Sequence, residues 1–199
     1  FHWAFVTAGT TLATSTDIAY YNQFVTDQAG QPGALTEGLG INWFAVGSTQ
    51  SVNAKDNVPV TIYPVFLLDG TRIADDASDL WDQSIQAPWD VDQSCAHKVG
   101  TGDDALVWTG THYSGTAALM GSRALGIGGA TMTGSWEMTN MDWVNYENRS
   151  AIDDEPLDKP MYAISEVQTV QTVVPVPAAA WLLGSGIIGL VVVRRRSTK

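Results

Sequence analysis

The chain has 199 residues, 45% of them hydrophobic, and a formal charge of −11. Arg194, Arg195, Arg196 and Lys199 supply four of its ten positive charges, so residues 1–193 carry −15, and a surface this acidic excludes nucleic acid as a partner. Cys95 is the one cysteine, which rules out an intramolecular disulfide, and His2, His97 and His112 are too scattered to suggest a Cys–His metal cluster. The chain opens on Phe1 without a recognisable signal peptide. It is expected to be either a fragment or a product from which an export signal was removed.

In chain order, Ser15 and Asp17 form a helix start, Ile18, Tyr21 and Val25 follow at helical spacing, and Gly30 fits the stop. A glycine-rich loop leads to a strand at residues 41–46. Residues 60–68 form a second β-branched and aromatic run, where Pro64 argues for an edge or a bulge. Asp69 and Gly70 mark a hairpin turn into residues 71–74. Residues 75–82 are acidic and read as a short helix, residues 105–109 as a strand, and the Gly- and Thr-rich residues 114–135 as loop. A final strand is expected within residues 161–170.

The body carries no Gly-x-Ser-x-Gly and no His-Glu-x-x-His motif. Asp103, His112 and Ser114 lie near one another in sequence, which suits either a polar turn or, if they converge, a nucleophilic triad. Carboxylates gather at Asp75, Asp76, Asp79 and Asp82, at Asp90 and Asp92, at Asp103 and Asp104, and at Asp153, Asp154 and Glu155. Their oxygens suit weak Ca²⁺ binding, most of all at Asp75–Asp82; otherwise they are solvated surface charge. Paired carboxylates can also cleave glycosides when correctly spaced. Trp89, Trp108, Trp136 and Trp143 offer faces for sugars or for core packing, with Trp81 and Trp108 expected to be buried. Asn148 and Ser150 fit a glycosylation sequon, a short pattern that carries little weight by itself.

Four segments, residues 1–6, 42–48, 77–81 and 107–115, carry Trp3, Trp43, Trp81 and Trp108, and residues 161–165 fit as the last strand. Together they resemble the endostatin-like branch of the C-type-lectin-like fold. The resemblance implies an α+β fold, although that fold's disulfides and the calcium-and-sugar motifs of true C-type lectins are absent. Residues 1–170 are expected to form this lectin-like extracytoplasmic domain.

The C-terminal end has a different character. No charge occurs from Val167 to Val193, and residues 176–193 form an apolar run of eighteen that would span about 27 Å as a helix, enough for a bilayer core. Ala178, Trp181, Gly184, Gly186, Gly189 and Val193 belong to this expected membrane anchor, Trp181 near its outer edge. Arg194, Arg195 and Arg196 follow, and the positive-inside rule puts them in the cytoplasm and the body outside. Val174, Pro175, Val176 and Pro177 lead into the run, where two prolines disfavour regular structure. This order of Pro-x-Pro motif, apolar segment and basic end resembles the PEP-CTERM sorting signal, with Val176 in place of the usual glutamate.

That resemblance implies recognition by an exosortase, a membrane-embedded cysteine-protease-like enzyme of Gram-negative bacteria that make exopolysaccharide. The expected architecture is therefore α+β: a C-type-lectin-like (endostatin-like) domain followed by a single C-terminal transmembrane helix. Residues 171–177 are expected to serve as linker and sorting motif, 178–193 as the helix, and 194–199 as a basic cytoplasmic tail. The expected function is that of a non-enzymatic envelope or matrix protein, anchored first at the inner membrane and linked to exopolysaccharide, with no cofactor beyond weak Ca²⁺. A carbohydrate- or Ca²⁺-dependent binding module and a hydrolase of matrix polymer are the rival readings.

Overall fold

The first strand of the chain is an interior one. In the computed structural model, which describes residues 1–150 and 158–169, β1 (His2–Val6) buries His2, Ala4, Phe5 and Val6. A strand buried on both faces needs neighbours on both edges, and β1 has them. It pairs antiparallel with β8 (Tyr162–Ser165), Val6 opposite Tyr162, and parallel with β3 (Val65–Leu67), His2 opposite Val65. β2 (Trp43–Ala45) and β4 (Arg72–Ala74) complete the sheet, in the order β2-β8-β1-β3-β4. First and last strands are thus partners, and the compact unit runs from Phe1 to Gln168.

Local chemistry explains the edges. Helix α1 (Ile18–Ala29) starts at Asp17, whose carboxylate accepts from the backbone N–H of Ala19, and stops at Gly30. It buries Tyr21 and Val25. Its Asn22 accepts from the Ala45 N–H at 2.9 Å, while Asn57, at the end of α2 (Ala54–Asn57), donates to the Ala45 carbonyl at 2.8 Å. These two amides occupy strand-edge groups that would otherwise be open for pairing. On the opposite side, Asp69 accepts from the Thr71 N–H at 2.8 Å and Gly70 adopts φ +90°, so the β3–β4 hairpin turns where its sequence requires. Pro64 precedes β3, which is not an edge strand; the expected irregularity is a register shift between Val65 and Phe66.

The second sheet, β5 (Leu106–Trp108), β6 (Ala130–Ser135) and β7 (Glu147–Ser150), is antiparallel. β6 lies inside the stretch expected to be loop. Its sequence, Ala-Thr-Met-Thr-Gly-Ser, lacks the apolar alternation of a half-buried strand, yet Thr131, Thr133 and Gly134 are buried. The hydroxyls make this tolerable: Thr133 donates to the Glu147 carbonyl at 2.9 Å. Around the sheets the core is aromatic. Trp89, Trp108, Trp143 and Tyr162 are fully buried, and Trp81 packs partly buried against Trp143.

The fold class is therefore corrected. The described residues form a small α+β fold with one mixed and one antiparallel sheet, and among them no helix is long and apolar enough to cross a membrane. The longest, α1, has 12 residues and rises about 18 Å, short of the ~30 Å hydrocarbon layer. The helix expected at residues 178–193 lies outside the described residues. The expected C-type-lectin-like domain followed by a transmembrane helix does not stand as the architecture. The short motifs behind it, such as those around Trp43 and Trp108, are buried strand residues, and aromatic strands fill cores of many folds.

Candidate functional site

A cavity of about 590 Å³ opens between the turn at residues 49–53 and the loop at residues 111–121. Both walls hang on one buried hydroxyl ladder. Ser48 leaves β2 and accepts, through Oγ, from the Ala54 N–H at 2.8 Å; the same Oγ lies 2.9 Å from Thr111 Oγ1. Thr111 donates to the Thr109 carbonyl at 2.7 Å, and Thr109 donates to the Val144 carbonyl at 2.7 Å. Gly110 sits at φ +60° where a Cβ would come within 2.5 Å of the Leu125 nitrogen, so only glycine fits this crossing. Asn53 ties the walls together by accepting from the Ala117 N–H at 3.0 Å.

The cavity surface is part polar and, by area, more apolar. Gln50, Asn53, His112, Ser114 and Thr116 supply amide, imidazole and hydroxyl groups, and no carboxylate, lysine or arginine lines it. Ser114 Oγ lies 2.9 Å from His112 Nδ1 and 3.0 Å from Thr116 Oγ1. Leu119 and Met120 form the apolar side. Both adopt left-handed backbone, φ 44° and 57°, and both are exposed, Met120 completely. Two consecutive non-glycine residues in this region cost about 1–2 kcal/mol each. Strain of this kind is concentrated at working surfaces.

Of the sequence-proposed triad, the fold joins His112 to Ser114 and leaves Asp103 elsewhere, bonded to Arg149. Asp103 lines a second cavity, of about 360 Å³, with Lys98, Trp136, Arg149 and Lys159. Lys98 stands 4.9 Å over the Trp136 ring and donates to the Thr7 carbonyl at 3.2 Å. Burial lowers the pKa of Lys98, against the pull of Asp92. Lys159 is lowered first by burial and then by Arg149, with Asp103, Glu147 and Asp104 opposing. On the surface, His97 lies 3.0 Å from Asp90 and 3.7 Å from Asp69, and its pKa is raised chiefly by the hydrogen bond to Asp90.

The carboxylates proposed for Ca²⁺ are each engaged by local partners. Asp76 caps α3 (Ala77–Leu80) by accepting from the Ser78 and Asp79 N–H groups; Asp75 pairs with Arg72 at 2.8 Å. Asp79 accepts from the Asp75 N–H and from Gln86, and Asp82 from Ser84. Among the described residues no three His, Cys, Asp or Glu side chains are grouped to hold a metal ion. Asp153, Asp154 and Glu155 lie outside the described residues, as do the sorting-motif residues Val174, Pro175, Val176 and Pro177, the anchor residues from Ala178 to Val193, and Arg194, Arg195 and Arg196.

Sequence reasoning missed Gln50, Asn53, Thr116, Leu119 and Met120 as members of one site. The available signal was the pair of bulky apolar residues set among glycines, between Gly115 and Gly121. No protein-family model matches the chain, and no curated protein matches it.

Proposed function

We propose that the protein is an exported, non-enzymatic component of the cell envelope or extracellular matrix, delivered through a C-terminal sorting signal of the PEP-CTERM kind. One observation carries the reading: Val174, Pro175, Val176 and Pro177, an uncharged apolar run to Val193, and Arg194, Arg195 and Arg196 follow one another in that order behind an acidic body. The basic end stays on the cytoplasmic side of the inner membrane, and the body lies beyond it. Pro175 and Pro177 lack backbone donors and disfavour regular structure, which suits binding by a protease or transpeptidase. An exosortase-type enzyme is the processing partner, and exopolysaccharide is the material with which the body is finally associated.

The body is consistent in extent: its compact unit ends at Gln168, ahead of the proline motif. The test is to produce the chain in a host with and without an exosortase and to measure intact masses of the protein recovered outside the inner membrane. With the enzyme, the recovered form should lack its C-terminal end; a form still ending at Lys199 sinks the proposal.

A further inference from the structure

We infer that the cavity between residues 49–53 and 111–121 binds an uncharged sugar unit of a polysaccharide, without a metal ion. The body has a formal charge of −15, yet no carboxylate, lysine or arginine lines this cavity. An anionic ligand would find no cation there, and a cationic one no carboxylate. A purely apolar ligand would strip water from Gln50, Ser114 and Thr116 and give nothing back. Amide, imidazole and hydroxyl groups both donate and accept, which is what a ring bearing several hydroxyls requires.

The apolar part of the lining complements that chemistry. Leu119 and Met120 are held outward on left-handed backbone, one 58% exposed and the other fully exposed. An exposed apolar pair gains by covering the C–H face of a ring, and a site held by ligand-independent hydrogen bonds loses little entropy on binding. The cavity's volume of about 590 Å³ falls in the range of small-ligand sites. Its open side at Met120 lets a chain enter and leave, so an internal unit of a polymer can be held. With no carboxylate on the lining, a bridging cation has no charged ligand there. This inference goes beyond the sorting reading and does not depend on the tail: a processed protein can fail to bind sugar, and an unprocessed one can bind it.

The experiment is an array of neutral gluco-, galacto- and manno-configured oligosaccharides alongside uronate oligosaccharides, probed with the full chain. Calorimetric titration of the best neutral oligosaccharide follows, with and without EDTA. The expected result is saturable binding of a neutral oligosaccharide, preferred over uronates and unchanged by EDTA. Ser114→Ala and Gln50→Ala should each weaken it about tenfold at unchanged Tm, while Arg149→Gln in the second cavity should leave it unaltered. Met120→Gly relieves the backbone and should keep the fold while weakening binding, so it serves if the other variants fold poorly. Absence of any neutral ligand, loss of binding with EDTA, preference for uronates, or parental affinity in Ser114→Ala, Gln50→Ala or Met120→Gly would each overturn the inference.

Discussion

Trp89 stacks on Tyr162 with ring centroids 4.5 Å apart, and this contact joins the segment ahead of Val91 to the last strand of the sheet. Both rings are fully buried, and the Tyr162 hydroxyl donates to the Trp143 carbonyl at 3.0 Å. Burial raises the Tyr162 hydroxyl well above its ordinary pKa, so it remains a donor throughout the accessible pH range. Trp89→Ala should lose about 3–5 kcal/mol, the cost of emptying a large aromatic site. Tyr162→Phe should lose about 1–3 kcal/mol because the Trp143 carbonyl stays buried without its donor. Urea unfolding of the two variants checks both, and a Tyr162→Phe protein as stable as its parent removes the hydrogen bond from the account.

The elements legible in the sequence are those set by neighbours in the chain. Asp17 and Gly30 bound α1 through contacts made within a few residues, and Asp69 and Gly70 close their hairpin in the same way. β6 was not legible, because its Thr and Gly residues become strand only when β5 and β7 accept them on either side. The cavity was hidden for a similar reason. Asn53 and Ala117 meet across 64 positions, and no local pattern records that contact. The carboxylate series at residues 75–82 was visible as composition, but whether four side chains converge or turn back on their own backbone depends on the caps they make. They turn back.

Two glycines separate crowding from backbone conformation. A Cβ on Gly134 would lie 2.0 Å from the Trp143 carbonyl oxygen, against backbone that cannot step aside. Gly70 has φ +90° but nothing within 4 Å. Gly134→Ala should therefore prevent accumulation of folded protein, whereas Gly70→Ala should cost only about 1–2 kcal/mol of backbone strain. Yields of soluble protein and thermal unfolding distinguish the two, and a well-folded Gly134→Ala protein would mean that β6 and residues 143–144 are further apart.

Stability should fall on the acid side of neutrality through His2. Burial lowers its folded pKa below the ordinary 6.5; the hydrogen bond to the Ser165 carbonyl opposes this, and the N-terminal ammonium adds to it. The unfolded chain takes up a proton near pH 6.5 while the folded one resists it, so stability rises with pH across that window and declines as pH drops from 6.5 toward the folded value. His97 acts oppositely: its raised pKa contributes stability below 6.5 that is lost as pH rises through the folded value, but it is exposed and screened. Urea midpoints between pH 5 and 7.5 should show a smaller slope in His2→Asn than in the parent. An unchanged slope assigns the acid sensitivity to other groups.

At α3, Asp76→Ala should cost about 1 kcal/mol, the usual value of a helix cap. Because Asp75, Asp76, Asp79 and Asp82 already hold hydrogen bonds or an ion pair, Ca²⁺ should leave the melting temperature close to its value in EDTA. A calcium-dependent rise that Asp79→Asn abolishes would show that these side chains regroup around the ion.

The tail offers a pair of variants whose effects should differ in kind. On the proposed sorting reading Arg194, Arg195 and Arg196 act as charge, so replacing all three with glutamine should remove the determinant that would keep this end in the cytoplasm. Pro175 and Pro177 act as backbone, so alanine at both restores two N–H donors and frees φ without altering charge or the apolar run. In a host with an exosortase, the proline variant should keep its body outside the inner membrane but accumulate with Lys199 still attached. The arginine variant should lose uniform orientation, so that a share of its bodies is shielded from protease added to spheroplasts. Protease accessibility reads the first property and intact mass the second. Processing of the proline variant at the parent's rate would show that the enzyme does not read this motif, and full accessibility of the arginine variant would place the orienting signal elsewhere in the chain.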